Sequence, residues 1–183
     1  MTDRVYQLKA TIMGTKPPVW RRLLVPEATT LVRLHDILQA AFGWEDCHLH
    51  EFKIDGVRYG TDDGEGWGPP PRSERQARLG TVAAPGTTFE YIYDFGDDWR
   101  HKVTVEKVLP AEKGAAYPTC TGGRRAGPPE DCGGVWGYTE LLGVIGDPGH
   151  PEHESMLAWV GGGFDADAFD RSDVTRRLRF PHP

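Results

Sequence analysis

The chain has 183 residues, enough for one ordinary domain with a substantial extension. Its formal charge of −6 argues against a surface built to grip a nucleic-acid backbone, and 23 Gly with 15 Pro argue against a helix bundle. The opening MTDRVYQLKATIM has no apolar signal-peptide core, and no apolar run approaches the ~18 residues of a membrane-spanning helix, so no membrane partner is expected.

In residues 5–13, Tyr6, Leu8, Ala10 and Ile12 alternate with Gln7, Lys9 and Thr11, which predicts a strand. Residues 14–18 read as a turn and 19–25 as a second strand ending at Pro26, the two forming a hairpin. Next, Leu31, Leu34, Ile37, Leu38, Ala41 and Phe42 follow helical spacing, with Thr29 or Thr30 as N-cap and Gly43 as C-terminal cap. HLHEFKIDGVRYG predicts a strand, an Asp55-Gly56 turn and a return strand. Residues 61–78 read as a long surface loop, and strand signal returns at 88–95 and 99–109.

After Pro110 the segment YPTCTGGRRAGPPEDCGGVWGY shows no periodicity, and helical pieces follow near 138–145, 152–160 and 167–178. This order predicts an α+β fold, a mixed β-sheet with one long packed helix in a β-grasp-like β-β-α-β-β order, plus a C-terminal helical extension. Residues 1–110 would form the sheet core. Residues 111–183 would form a Gly/Pro-rich loop and helical extension packed on the same domain.

YDFGDDWRH, residues 93–101, interrupts this pattern by placing Asp94, Asp97, Asp98 and His101 among strand-forming aromatics. Alternation puts Phe89, Tyr91, Tyr93 and Phe95 on one inward face, and Trp99, His101, Val103 and Val105 on another. Gly96-Asp97-Asp98 would be the tight turn between them, with Asp94 on the opposite face or at the bend. The same count turns His48 and His50 inward with Phe52 and Ile54. If the strand ends coincide, His48, His50 and His101 are metal candidates, and Asp94, Asp97 and Trp99 border the same pocket. The alternative is that each His is a core-edge residue hydrogen-bonded to a turn Asp. No cofactor is assigned; a divalent metal is the one considered.

PPED, residues 128–131, reads as local structure, or offers Glu130 and Asp131 as base or ligands if its loop folds over the His residues. Cys47, Cys120 and Cys132 form no CxxC pair, and reduced thiols in a cytoplasmic protein are expected. Arg21 and Arg22 beside Trp20 are candidates for holding a phosphate or carboxylate, at most one per pocket because neighbours on a strand face opposite sides. Arg171, Arg176, Arg177 and Arg179 form a further basic spot, and GGG at 161–163 reads as a helix terminator. No Walker A loop, GxGxxG, GxSxG, HExxH or EF-hand loop occurs.

PPVWRR, LHDILQAAFGW with HLHEF, YDFGDDWRH, CTGGRRAGPPEDCGG and FDADAFD occur in that order across residues 5–178. In this the chain resembles the plasmid pRiA-type ORF-three-like domain family, passenger proteins of insertion elements. The resemblance implies an α+β domain of unknown activity found on plasmids, transposons and chromosomes. Some members carry a resolvase or recombinase label, but no recombinase signature or basic arm is present here. Many members have a Cys just before PPED where this chain has Gly127, which weakens a three-cysteine metal site.

The expected role is a cytosolic, non-enzymatic binding or accessory domain, recognising an unknown protein or small ligand. Its cleft would be bordered by HLH, the DFGDDW hairpin and PPEDCGG. The alternatives are a metal-dependent hydrolase or nuclease-like enzyme using the His/Asp cluster, and a nucleic-acid-associated accessory protein.

Overall fold

A computed structural model describes residues 4–61 and 69–179. The first two strands, β1 (Arg4–Ile12) and β2 (Trp20–Pro26), pair antiparallel from Val5↔Pro26 to Thr11↔Trp20. Their inward residues, Leu8, Ala10, Ile12, Leu23 and Val25, are buried as the alternation predicts. Helix α1 (Leu31–Phe42) is capped by Thr30, whose hydroxyl accepts the Arg33 N–H, and ends at Gly43 in the left-handed region with φ 85°. Its apolar stripe of Leu31, Leu34, Ile37, Leu38, Ala41 and Phe42 is buried in the core.

Strands β3 (His50–Ile54) and β4 (Val57–Gly60) turn at Asp55 and Gly56, both at positive φ as a two-residue hairpin requires. Of the expected long loop, residues 62–68 lie outside the described residues. The rest holds a two-residue strand β5 (Arg72–Ser73) and leads to a short helix α2 (Leu79–Val82). Then come β6 (Thr88–Tyr93) and β7 (Trp99–Pro110).

One strand was invisible to periodicity: β8 (Thr119–Arg124), inside the Gly/Pro-rich segment, pairs with β2. TCTGGR carries almost no apolar signal; its place depends on the open edge of β2 and on the final helix covering Cys120. The last three helices are α3 (Gly134–Gly146), α4 (His153–Trp159) and α5 (Arg171–Arg179). Helix α5 starts later than the pattern predicts because Asp170 Oδ1 accepts the N–H groups of Ser172 and Asp173.

The α+β expectation holds. Among the described residues the sheet has eight strands in the order β5-β4-β3-β6-β7-β1-β2-β8, antiparallel except for β4 with β5. The first five elements do follow β-β-α-β-β, but the sheet they enter is larger, so the β-grasp comparison stays with element order alone. The strand from beyond residue 110 joins this same sheet, and α5 seats Val174 and Leu178 in the common core.

Candidate functional site

Strand β6 stops at Tyr93 because Asp94 takes a left-handed conformation, φ 56°. Asp94 Oδ1 accepts the N–H of Gly96 (2.9 Å) and of Asp97 (3.3 Å), and its carbonyl accepts from Asp98 N (2.7 Å). These bonds explain the acidic interruption of YDFGDDWRH: the turn spans Asp94 to Asp98, wider than the expected three-residue turn. Phe95 is consequently 52% exposed, not inward as strand alternation suggested. Asp97 Oδ2 accepts Gly133 N (3.0 Å) and ties the hairpin to the start of α3, while Asp98 pairs with Arg100.

The other oxygen of Asp94, Oδ2, stands 3.6 Å from His48 Nε2, and Asp131 Oδ1 stands 2.8 Å from the same nitrogen. Three of the residues singled out in the sequence thus meet at one partly exposed corner. Burial opposes protonation of His48, but the Asp131 hydrogen bond and the charges of Asp94, Asp131 and Glu130 hold its pKa above the ordinary value of 6.5.

The expected convergence of His48, His50 and His101 requires correction. Two groups of three donor atoms lying within 4.8 Å occur among the described residues, His48–Asp94–Asp131 and His35–Asp46–His50, and His101 belongs to neither. Register explains why. His50 pairs with Tyr93 and His101 with Tyr91, so β6 stands between the two strands that carry them. His48 lies before the first residue of β3.

His101 is fully buried, with Nδ1 3.1 Å from the Tyr91 carbonyl and rings of Phe42, Trp44 and Tyr91 around it. Its Nε2 has no partner, and burial drives its pKa down to about 4. Trp99, expected to border the pocket, is instead a core residue packed on Trp44 and Tyr138.

The second donor group is poorly arranged for a metal. The His35 and His50 rings are stacked 3.5 Å apart at 6°, so their nitrogen lone pairs lie in parallel planes and do not converge. Each ring already has partners: His35 bonds Tyr91 Oη (2.8 Å) and Asp46 Oδ1 (2.7 Å), and His50 bonds the buried Glu74 (2.8 Å). Burial, then the neighbouring His50, lowers the His35 pKa against the opposing pull of Asp46. His35 and Gln39 were missed although they sit four apart among α1 core positions, where a polar residue is itself a signal. Glu74 lies in an aperiodic loop and gave none.

The PPED loop is anchored from behind. Trp44 Nε1 donates to the Pro128 carbonyl (3.0 Å), and Glu130 Oε1 accepts from Tyr93 Oη (2.9 Å) and from Glu45 N (2.9 Å). Tyr93 Oη in turn accepts Cys47 N (3.1 Å). Burial, then Glu130, raises the Tyr93 hydroxyl far above its usual range, so it remains a donor. Glu130 Oε2 is buried without a partner.

A family model described as plasmid pRiA4b ORF-3-like protein matches residues 4–173. The chain belongs to the plasmid pRiA4b ORF-3-like family. It is 39% identical over 181 residues to an uncharacterized protein, y4hQ, of Sinorhizobium fredii, covering 97% of this chain and 92% of that one. The crystal structure of MM3350, a protein of unknown function from Methanosarcina mazei Go1, matches with a TM-score of 0.87 at 43% identity, covering 94% of this chain and 97% of that one.

Cysteine appears in neither donor group among the described residues, and burial raises Cys132 to about 12 and Cys120 above its usual value. A Cβ at Gly127 would fall 1.9 Å from the Phe42 carbonyl oxygen, so the loop path before PPED is built for glycine.

Proposed function

We propose that the protein is a non-enzymatic binding domain, acting in the cytoplasm as an accessory factor of a mobile-element-associated family, with the corner at His48, Asp94 and Asp131 as its recognition site. The observation that carries this reading is the meeting of three distant motifs. HLHEF, YDFGDDWRH and PPEDCGG each bring one donor atom to within 4.8 Å of the others. Glu130, Asp97 and the Tyr93 hydroxyl brace the segments that form that corner.

Acidic groups dominate the surroundings: Glu45, Asp46 and Asp131 are exposed, with Asp94 and Glu130 behind them. Exposed Leu49, Phe95 and Trp136 lie on segments tied to the same corner, through Asp94 N to Leu49 O and Gly133 N to Asp97. Carboxylates with apolar neighbours suit a basic, partly apolar segment of a protein partner. The test is an NMR titration with a short Lys/Leu peptide, in which backbone signals of residues 48, 94 and 131 move saturably. A D94N/D131N variant should lose the response; an unchanged response would reject the assignment.

A second reading, a metal-dependent hydrolase, draws on the donor set itself. One imidazole nitrogen and two carboxylate oxygens are the ligands a first-row divalent ion takes, and partial exposure leaves room for water. Stoichiometric Mn2+ or Zn2+ binding with phosphodiester turnover, both lost in H48A, would favour it over the first reading.

A further inference from the structure

Arg21 is the second residue of β2, and its inward position leaves it 2% exposed. Nε donates to the Ala41 carbonyl (2.9 Å), and Nη1 to the carbonyls of Trp20 (2.8 Å) and Arg124 (3.1 Å). The guanidinium lies 5.1 Å from the Phe42 ring centre and 5.0 Å from that of Phe169. No carboxylate pairs with it and Nη2 makes no hydrogen bond among the described residues. Buried charges are normally paired, because leaving water without a counter-ion is strongly unfavourable.

Part of this arrangement has a structural cause. Ala41 is in the last turn of α1, where carbonyls lack helical partners and the helix end is partly negative. That accounts for Nε but not for Nη2, nor for the second cation facing the same space. Arg177 of α5 lines, with Arg21, a partly open pocket of about 260 Å³ that Phe42, Phe169 and Gly127 also border. Two carboxylates are near. Asp170 also lines the cavity but uses Oδ1 to cap α5, and Asp173 Oδ2 lies 3.2 Å from Arg177 Nε. Burial, with a smaller share from Arg177, lowers the Arg21 pKa to about 10, so it stays charged at neutral pH.

We infer that this cavity is an anion site in which Arg21 and Arg177 hold a phosphate group, either free or as a small phosphomonoester. Arg21 Nη2 and the Arg177 guanidinium, carried by two separate elements, can donate to different oxygens of one tetrahedral oxyanion. The volume admits a phosphate with a few further atoms. The site shares no donor with the His48 corner and has the opposite charge preference.

Calorimetry and thermal unfolding with sodium phosphate, glycerol 3-phosphate and acetate, each at about 10 mM and matched ionic strength, test the inference. Phosphate or glycerol 3-phosphate should bind and raise Tm above the chloride control, the tighter of the two identifying the source. R177Q, on a partly exposed helix face, should fold normally in chloride and bind at least roughly tenfold more weakly, with R177K keeping part of the affinity. Absence of binding by the unsubstituted protein, acetate binding more tightly than both phosphates, or R177Q binding as well as the unsubstituted protein would each overturn it.

Discussion

His48 Nε2 lies 2.8 Å from Asp131 Oδ1, a contact between residues 83 positions apart. Because His48 has a raised folded pKa, the stabilisation it brings is fully present below the unfolded value near 6.5 and is lost as pH rises through the folded value. D131N should therefore lower the His48 pKa, read by imidazole NMR. It should destabilise the protein by up to about 1 kcal/mol at pH 6 and by little at pH 9. Equal destabilisation at both pH values would show that the pair does not titrate as described.

His101 has the opposite sign. With its folded pKa near 4, the unfolded chain takes up a proton the native state refuses as pH falls below about 6.5. Its contribution is a loss of stability on acidification, at most about 1.4 kcal/mol per pH unit, between those two values. H101F should flatten this part of the stability–pH profile from denaturant melts. A variant whose profile parallels the unsubstituted protein's would place the acid sensitivity elsewhere.

Tyr93 joins two loops through one hydroxyl, donating to Glu130 and accepting from Cys47 N. Y93F keeps the ring packing on Trp44 but leaves Cys47 N and Glu130 each without that partner. The expected loss is about 1–3 kcal/mol in chemical denaturation, with faster amide exchange around residues 45–48 and 128–131. Unchanged exchange there would mean that the loops are held by other contacts.

Two glycines should respond in opposite directions to alanine. G127A puts a methyl group against the Phe42 carbonyl oxygen and should destabilise by about 3 kcal/mol or more. G143A, within α3 and with open space around its Cβ, should stabilise by about 0.5–1 kcal/mol. Comparable effects for both would contradict the close approach at Gly127.

The first hairpin and α1 were legible because each commits a full set of apolar positions to one face and supplies its own caps or turn. Strand β8 was not, since TCTGGR is recruited by the edge of β2. Alternation placed His50 and His101 on the inward face correctly, yet phase says nothing about lateral order. Only the pairing of β3, β6 and β7 shows that Tyr91 and Tyr93 stand between them. Asp94 and Asp131 carried a readable hint, as Asp tolerates positive φ and both adopt it, at 56° and 53°. Their meeting with His48 depends on tertiary contacts that no local pattern encodes.

A cationic group recognised at the corner of His48, Asp94 and Asp131 would be seen by imidazole and amide NMR during titration with a Lys/Leu peptide. The expected result is saturable shifts centred on these three residues, strengthening as pH rises through the His48 titration and absent in D94N/D131N. Shifts confined to another surface, or an affinity indifferent to both carboxylates, would contradict it.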